Sequence, residues 1–181
     1  LLMFDLDGVV YIGGVGIEGV PESISRARRA GCHVAFVTNN ASLPPEDVAA
    51  KLRKVGVEAE SRDVVTSAQA AARLLVEAHG VGAEVVLLGG TGLEQALRAE
   101  DLRPRSPAEG GVAVVSGYGL DVSWRDIMRA AVLIRDGLPY VASNTDGSVP
   151  TEFGLAPGHG ALVRLISEFA GVEPVVAGKP S

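Results

Sequence analysis

Asp5 and Asp7 stand two residues apart, directly after the apolar run Leu1–Phe4, and Gly8 follows at once. Carboxylates at the end of a buried strand are costly unless something pairs with them. A divalent cation is one such partner, because Mg2+ takes carboxylates together with substrate phosphate oxygens. A carboxylate can also act as a nucleophile in covalent catalysis. Asp-x-Asp is common, however, and a strand-to-turn edge with solvated acids accounts for it equally well.

Two further stretches narrow the choice. Cys32–Val37 reads as a second buried strand, with Cys32 as a small core residue, and it ends in Thr38-Asn39-Asn40. A hydroxyl and amides at the carboxyl end of a strand can hold phosphate oxygens, and ligands of open α/β sheets bind at that end. Pro174–Ala177 reads as another short apolar strand, followed by Gly178-Lys179-Pro180-Ser181. A lysine there is a compact cation able to neutralise phosphate charge. Thr38 alone would be a turn residue and Lys179 alone a solvated lysine. With Asp5 and Asp7, in this order and on strand ends, they read as a phosphoryl-transfer site.

The chain here resembles the haloacid dehalogenase superfamily, and within it the NagD-like, 4-nitrophenylphosphatase-type enzymes. The residues that carry the likeness are Asp5-Leu6-Asp7-Gly8-Val9-Val10-Tyr11, Val37-Thr38-Asn39-Asn40 and Gly178-Lys179-Pro180-Ser181. Ser143-Asn144-Thr145-Asp146 and Pro157-Gly158-His159-Gly160-Ala161-Leu162 add to it.

The resemblance implies an α/β fold. A Rossmann-like core is interrupted, after the second motif, by a second, smaller α/β cap domain. It implies Mg2+ dependence and hydrolysis of phosphate monoesters. Asp5 would be the nucleophile, and Asp7 the acid that protonates the leaving alkoxide and then activates water. Mg2+ would lie between Asp5 and the carbonyl of Asp7. Thr38 and the backbone of Asn39 would bind phosphate oxygens. Lys179 would stabilise Asp5 and the transferring group. Asn144, Asp146 and His159 are candidates for leaving-group recognition. Against that, Asn144 and Asp146 are turn formers, and His159 stands where a helix begins. The family also carries an acidic Gly-Asp loop beyond the lysine. No such segment follows Lys179, so the sequence reads as an incomplete copy of a longer enzyme.

The elements that must position these residues alternate strand and helix, which implies parallel pairing with right-handed crossovers. Pro21–Ala30 is expected as a helix stopped by Gly31, its arginines 26, 28 and 29 on a solvated face. Ser42-Leu43-Pro44-Pro45-Glu46 opens another, with Val48, Leu52 and Val55 on one stripe. Glu84–Leu88, Val112–Ser116 and Pro139–Ala142 read as strands. Thr91–Arg98, a helix opened by Ser123-Trp124-Arg125-Asp126, and Ala161–Phe169 alternate with them. Arg103–Gly111 is the most loop-like stretch. Asp7 and Thr38 leave room between them for one helix and a short flap from Tyr11 to Gly14, which excludes a cap there. The expected division is 1–68 core, 69–172 cap, 173–181 return to the core. Gly89-Gly90-Thr91-Gly92 lacks the third glycine of a dinucleotide fingerprint, because Gln95 takes that place. It reads as a tight turn in the cap.

Composition sets outer limits. Hydrophobic residues make up 47% and charged residues 21%, ordinary for a globular protein. A net charge of −6 argues against nucleic acid, whose phosphates are bound by clustered bases. No apolar run has the length of a membrane span. The single cysteine excludes an internal disulfide and fits a cytoplasmic setting. The expected partner is a small phosphorylated metabolite, with no membrane and a homo-oligomer compatible with the sequence. Glycerol 3-phosphate, phosphoglycolate, pyridoxal phosphate and nucleoside monophosphates all stay open. So do a phosphotransferase or mutase on the same core and a non-catalytic remnant. A receiver-like signalling module fits poorly, because its phosphoacceptor follows a later strand.

Overall fold

The computed structural model describes residues 1–151 and 153–180. Ser181, the last residue of the lysine motif, lies outside them. The chain is α/β, with parallel sheets, and divides into two compact units. One comprises Leu1–Thr38 and Pro44–Thr66, the other Asn39–Leu43 and the chain from Ser67 onward.

In the first unit, strand β1 (Leu2–Phe4) leads into a hairpin of β2 (Tyr11–Ile12) and β3 (Val15–Gly16). Helix α1 (Val20–Arg29), β4 (Val34–Thr38), α2 (Pro45–Lys54) and β5 (Val64–Thr66) follow. The sheet runs β1-β4-β5, all parallel, with Phe4 opposite Phe36 and Thr38 opposite Thr66. Gly13 and Gly14 both have positive φ, 57° and 85°, as the turn joining β2 to β3 requires. Helix α1 carries Pro21 at its start and Gly31 just past its end, and buries Ile24. Helix α2 buries Val48 and Leu52, two members of the expected stripe.

Three expectations change here. β1 is an edge strand with Leu2 and Met3 exposed, not a buried one. Cys32 lies ahead of β4 and is half-buried, so the buried strand begins at Val34. Arg28 turns inward, donating to Asp63 at 3.1 Å and to the Glu58 carbonyl. Its companions Arg26 and Arg29 do not share that pairing among the described salt bridges.

The second unit begins with α3 (Ser67–His79), β6 (Glu84–Leu88), α4 (Thr91–Ala99), β7 (Arg103–Arg105) and β8 (Ala113–Ser116). It continues with α5 (Trp124–Arg135), β9 (Tyr140–Ala142), the hairpin β10 (Ser148–Thr151) and β11 (Gly154–Pro157), α6 (His159–Ala170) and β12 (Val175–Val176). Five parallel strands stand in the order β12-β9-β8-β6-β7. Successive strand residues point to opposite faces. Val85, Val115 and Val141 therefore pack with α3 and α4, through Leu75, Leu93 and Leu97. Val86, Val114 and Tyr140 pack with α5 and α6, through Ile134, Val163 and Ile166. Helices cover both faces, the arrangement that parallel sheets need.

Here too the structure departs from the pattern. Arg103–Arg105 is an edge strand on β6, not a loop; an edge tolerates Pro104. β12 pairs with β9, so the segment read as a return to the core groups with the second unit. The turn Gly89–Gly92 receives the chain at Asn39–Leu43. A Cβ on Gly92 would lie 2.6 Å from Leu43 N and 2.7 Å from Ala41 O. That close packing is what Gly92 permits.

Candidate functional site

β1 and β4 end side by side, so Asp5, Asp7 and Thr38 all sit at the carboxyl edge of the first sheet. The turn after β1 is fixed from inside. Leu6 and Val10 are fully buried, and Val10 N–H donates to the Leu6 carbonyl at 2.9 Å. Gly8, at φ 79°, donates to the Tyr11 carbonyl at 2.8 Å. Between these anchors Asp5 and Asp7 face outward and are exposed. The desolvation argument from sequence therefore does not hold, and what singles the acids out is their alternation with core anchors. The Leu6 N–H donates to Asp5 Oδ1 at 2.7 Å, orienting that carboxylate. Burial pushes the Tyr11 phenol up to about 12, and the charges of Asp7 and Asp5 add to it. Thr38 is buried beside Thr66.

The second unit gathers the other candidates around Asn39. Asn39 Oδ1 accepts from the Lys179 N–H at 2.9 Å, and its Nδ2 donates to the Lys179 carbonyl at 3.2 Å. The same Nδ2 donates to Asp146 Oδ1 at 3.1 Å. The Asn39 carbonyl accepts from Asn144 Nδ2 at 2.8 Å and from Ser67 Oγ at 2.7 Å. Asn144 Oδ1 accepts from the Asp146 N–H at 3.1 Å, closing an Asx turn. Close approach requires glycine before the lysine. A Cβ on Gly178 would fall 2.6 Å from Ser143 O and 2.7 Å from Asn39 Oδ1.

His159 opens α6 but does not face solvent; it is only 4% exposed. Its Nδ1 lies 2.8 Å from the Asn144 carbonyl and its Nε2 lies 2.9 Å from Ser116 Oγ. A carbonyl can only accept, so Nδ1 carries the proton and Nε2 accepts from the Ser116 hydroxyl. Ser116 Oγ then receives the Tyr140 hydroxyl at 2.8 Å. Burial lowers the His159 pKa to about 4, which keeps the ring neutral. Asn144 is buried as well, whereas Asp146 is exposed. Ser67, Ser116 and Tyr140 complete this network without any sequence signal beyond a hydroxyl at or near a strand end.

Among the described residues, no three His, Cys, Asp or Glu side chains converge to hold a metal. Asp5 offers a carboxylate and Asp7 a backbone carbonyl at one exposed edge, oxygen donors suited to a hard cation that keeps several waters. Exposed acids and a threonine at one carboxyl edge can receive a phosphate ester and attack it.

Known proteins carry the same arrangement of sequence and fold. Residues 2–103 match the haloacid dehalogenase-like hydrolase family. A D-glycerol 3-phosphate phosphatase of Mycobacterium tuberculosis is 42% identical over 181 residues, 99% of this chain and 50% of that protein. An acid sugar phosphatase of Staphylococcus saprophyticus is 38% identical over 178 residues, 98% of this chain and 68% of that protein. A crystal structure of glycerol phosphate phosphatase from Mycobacterium tuberculosis in complex with magnesium matches with a TM-score of 0.93 at 42% identity, covering 99% of this chain and 54% of that one. The chain thus spans about half the length of the first relative. The family match takes in β1 with its aspartates and β4 with its threonine, and the likeness in fold runs on through Lys179. On both grounds this chain belongs to the haloacid dehalogenase-like hydrolases.

Proposed function

We propose that the protein is a Mg2+-dependent phosphatase of small phosphate monoesters. The observation that carries this reading is the exposed pair Asp5 and Asp7, held at the carboxyl edge of parallel strands beside Thr38. In the reaction, an Asp5 oxygen attacks phosphorus and the bond to the leaving oxygen breaks. Asp7 gives its proton to that oxygen, releasing the alcohol. Water then attacks phosphorus of the aspartyl-phosphate, giving a proton to Asp7 as the bond to the Asp5 oxygen breaks. Phosphate leaves and Asp5 is regenerated.

Thr38 and the Asn39 backbone hold phosphate oxygens in this account, and the Lys179 ammonium offsets charge on the transferring group. The Asp5 carboxylate and the Asp7 backbone carbonyl would hold Mg2+, which supplies charge neutralisation between an anionic nucleophile and an anionic substrate. In this reading residues 69–172 are the cap, and Asn144 and Asp146 within it bear on the leaving group. Of these, Asp146 is the exposed one and the best placed to meet a ligand. Two relatives are named for glycerol 3-phosphate and acid sugars, which supports a small polyol or sugar alcohol as leaving group. Among the described residues no helix is long and apolar enough to cross a membrane, and a cytoplasmic setting suits a soluble metabolite.

The test is a phosphate monoester panel, including glycerol 3-phosphate and 4-nitrophenyl phosphate, assayed on the purified protein. Turnover with Mg2+ and its loss in excess chelator are expected. Full activity in chelator, or no turnover of any ester, would overturn the reading.

A further inference from the structure

The buried chain Tyr140–Ser116–His159–Asn144 lies outside the chemistry just described, yet its last member bonds Asn39, the residue that grips Lys179. We propose that His159 is a positioning residue: through Asn144 and Asn39 it fixes the backbone of Lys179 without touching substrate. This rests on the proposed role of Lys179.

Each link has one direction. Tyr140 donates to Ser116, Ser116 donates to Nε2, and Nδ1–H donates to the Asn144 carbonyl. Asn144 then donates to the Asn39 carbonyl, and the Asn39 side chain bonds both backbone atoms of Lys179. The turn after Asn144 is tied down from the other side by the start of α6. Gly160 N–H donates to the Asp146 carbonyl at 2.8 Å and Gly158 N–H to the Gly147 carbonyl at 3.0 Å. A Cβ on Gly160 would sit 2.2 Å from the Thr145 carbonyl, so helix and turn are in direct backbone contact. Losing the Nδ1–H leaves the Asn144 carbonyl buried without its donor. The turn must then shift to find another, taking Asn144 Nδ2 off the Asn39 carbonyl.

Two substitutions separate positioning from packing, because they remove the same ring. The amide of His159→Asn places an N–H where Nδ1–H stood and so keeps the bond to Asn144. The amide of His159→Gln reaches Ser116 and leaves Asn144 unserved. Both should unfold at lower denaturant. On the best ester of the panel, His159→Gln should lower kcat roughly ten- to a hundredfold, the scale of a misplaced catalytic group, with KM little changed. His159→Asn should recover most of that loss. Amide NMR gives a second readout that needs no activity. The Lys179 N–H and the Asn39 side-chain amide should shift in His159→Gln and stay near their wild-type positions in His159→Asn. Equal kcat in the two folded variants, or unmoved Lys179 and Asn39 signals in His159→Gln, would overturn the proposal. Moved signals in a protein without phosphatase activity would support the positioning and defeat the catalytic reading.

Discussion

Asn39 clamps the backbone of Lys179 at two points, accepting from its N–H at 2.9 Å and donating to its carbonyl at 3.2 Å, across 140 residues of sequence. Asn39 directly follows Thr38, so the end of one strand motif holds the start of another. An amide is the one short side chain that can accept and donate in this way at once. We predict that Asn39→Asp is at least as damaging as Asn39→Ala. The aspartate keeps the acceptor but sets a second oxygen against the Lys179 carbonyl and Asp146. Each change should cost about 1–3 kcal/mol, read from urea unfolding. A wild-type midpoint for Asn39→Asp would show that the clamp is not needed.

Gly178→Ala tests the same clamp from the other side. The added methyl would meet Ser143 O and Asn39 Oδ1 at 2.6 and 2.7 Å. Gly178 is not among the glycines with positive φ, so the damage comes from contact and not from backbone strain. A loss of roughly 1–3 kcal/mol is expected, with kcat falling as the lysine moves. An unchanged kcat in the folded variant would separate Gly178 from the site.

Stability should fall in mild acid because of His159. Its folded-state pKa is lowered to about 4 from an ordinary 6.5, chiefly by burial; the Asn144 carbonyl and Asp146 oppose this. The unfolded chain therefore takes the proton first. The stability is intact above about pH 6.5 and is lost as pH falls toward 4, by roughly 3 kcal/mol at most. His159→Asn, which cannot titrate, should flatten that part of the unfolding profile. A slope unchanged by the substitution would assign it to other groups.

Asp146 and Lys179 should differ in kind. Asp146 is exposed, and its Oδ1 accepts a hydrogen bond from the Asn39 side-chain amide. Asp146→Ala should change KM unevenly across the ester panel, because it bears on the leaving group. Lys179→Ala should depress kcat on every ester, because it bears on the phosphoryl group common to all. Equal scaling of every substrate by Asp146→Ala would reduce it to a turn residue.

The aspartate pair, the threonine and the lysine stand out in the sequence because each follows an apolar run, and the structure places strands β1, β4 and β12 at those runs. Helix α1 was legible from its early proline and glycine stop, α2 from its apolar stripe, and α5 from the Ser123 opening. β5 was not, since Val64–Thr66 passes straight into α3 with no turn residue between them. The β10–β11 hairpin carries Pro150 and Pro157, which argue against strands in a local reading. The environment of His159 was out of reach for another reason. Ser116, the stretch from Tyr140 to Asn144, and His159 come from three places in the chain and meet only through the order of the parallel strands. The exposure of Asp5 and Asp7 was misjudged because an apolar run does not reveal whether its strand lies at a sheet edge.

The central claim is that Asp5 carries the phosphoryl group. Borohydride reduction during turnover converts an acyl-phosphate into an alcohol, and peptide mass spectrometry locates it. The account predicts homoserine at position 5, only when ester and Mg2+ are both present, and none in Asp5→Asn. Reduction at another carboxylate, or turnover with no trapped residue in a protein that retains activity as Asp5→Asn, would contradict it.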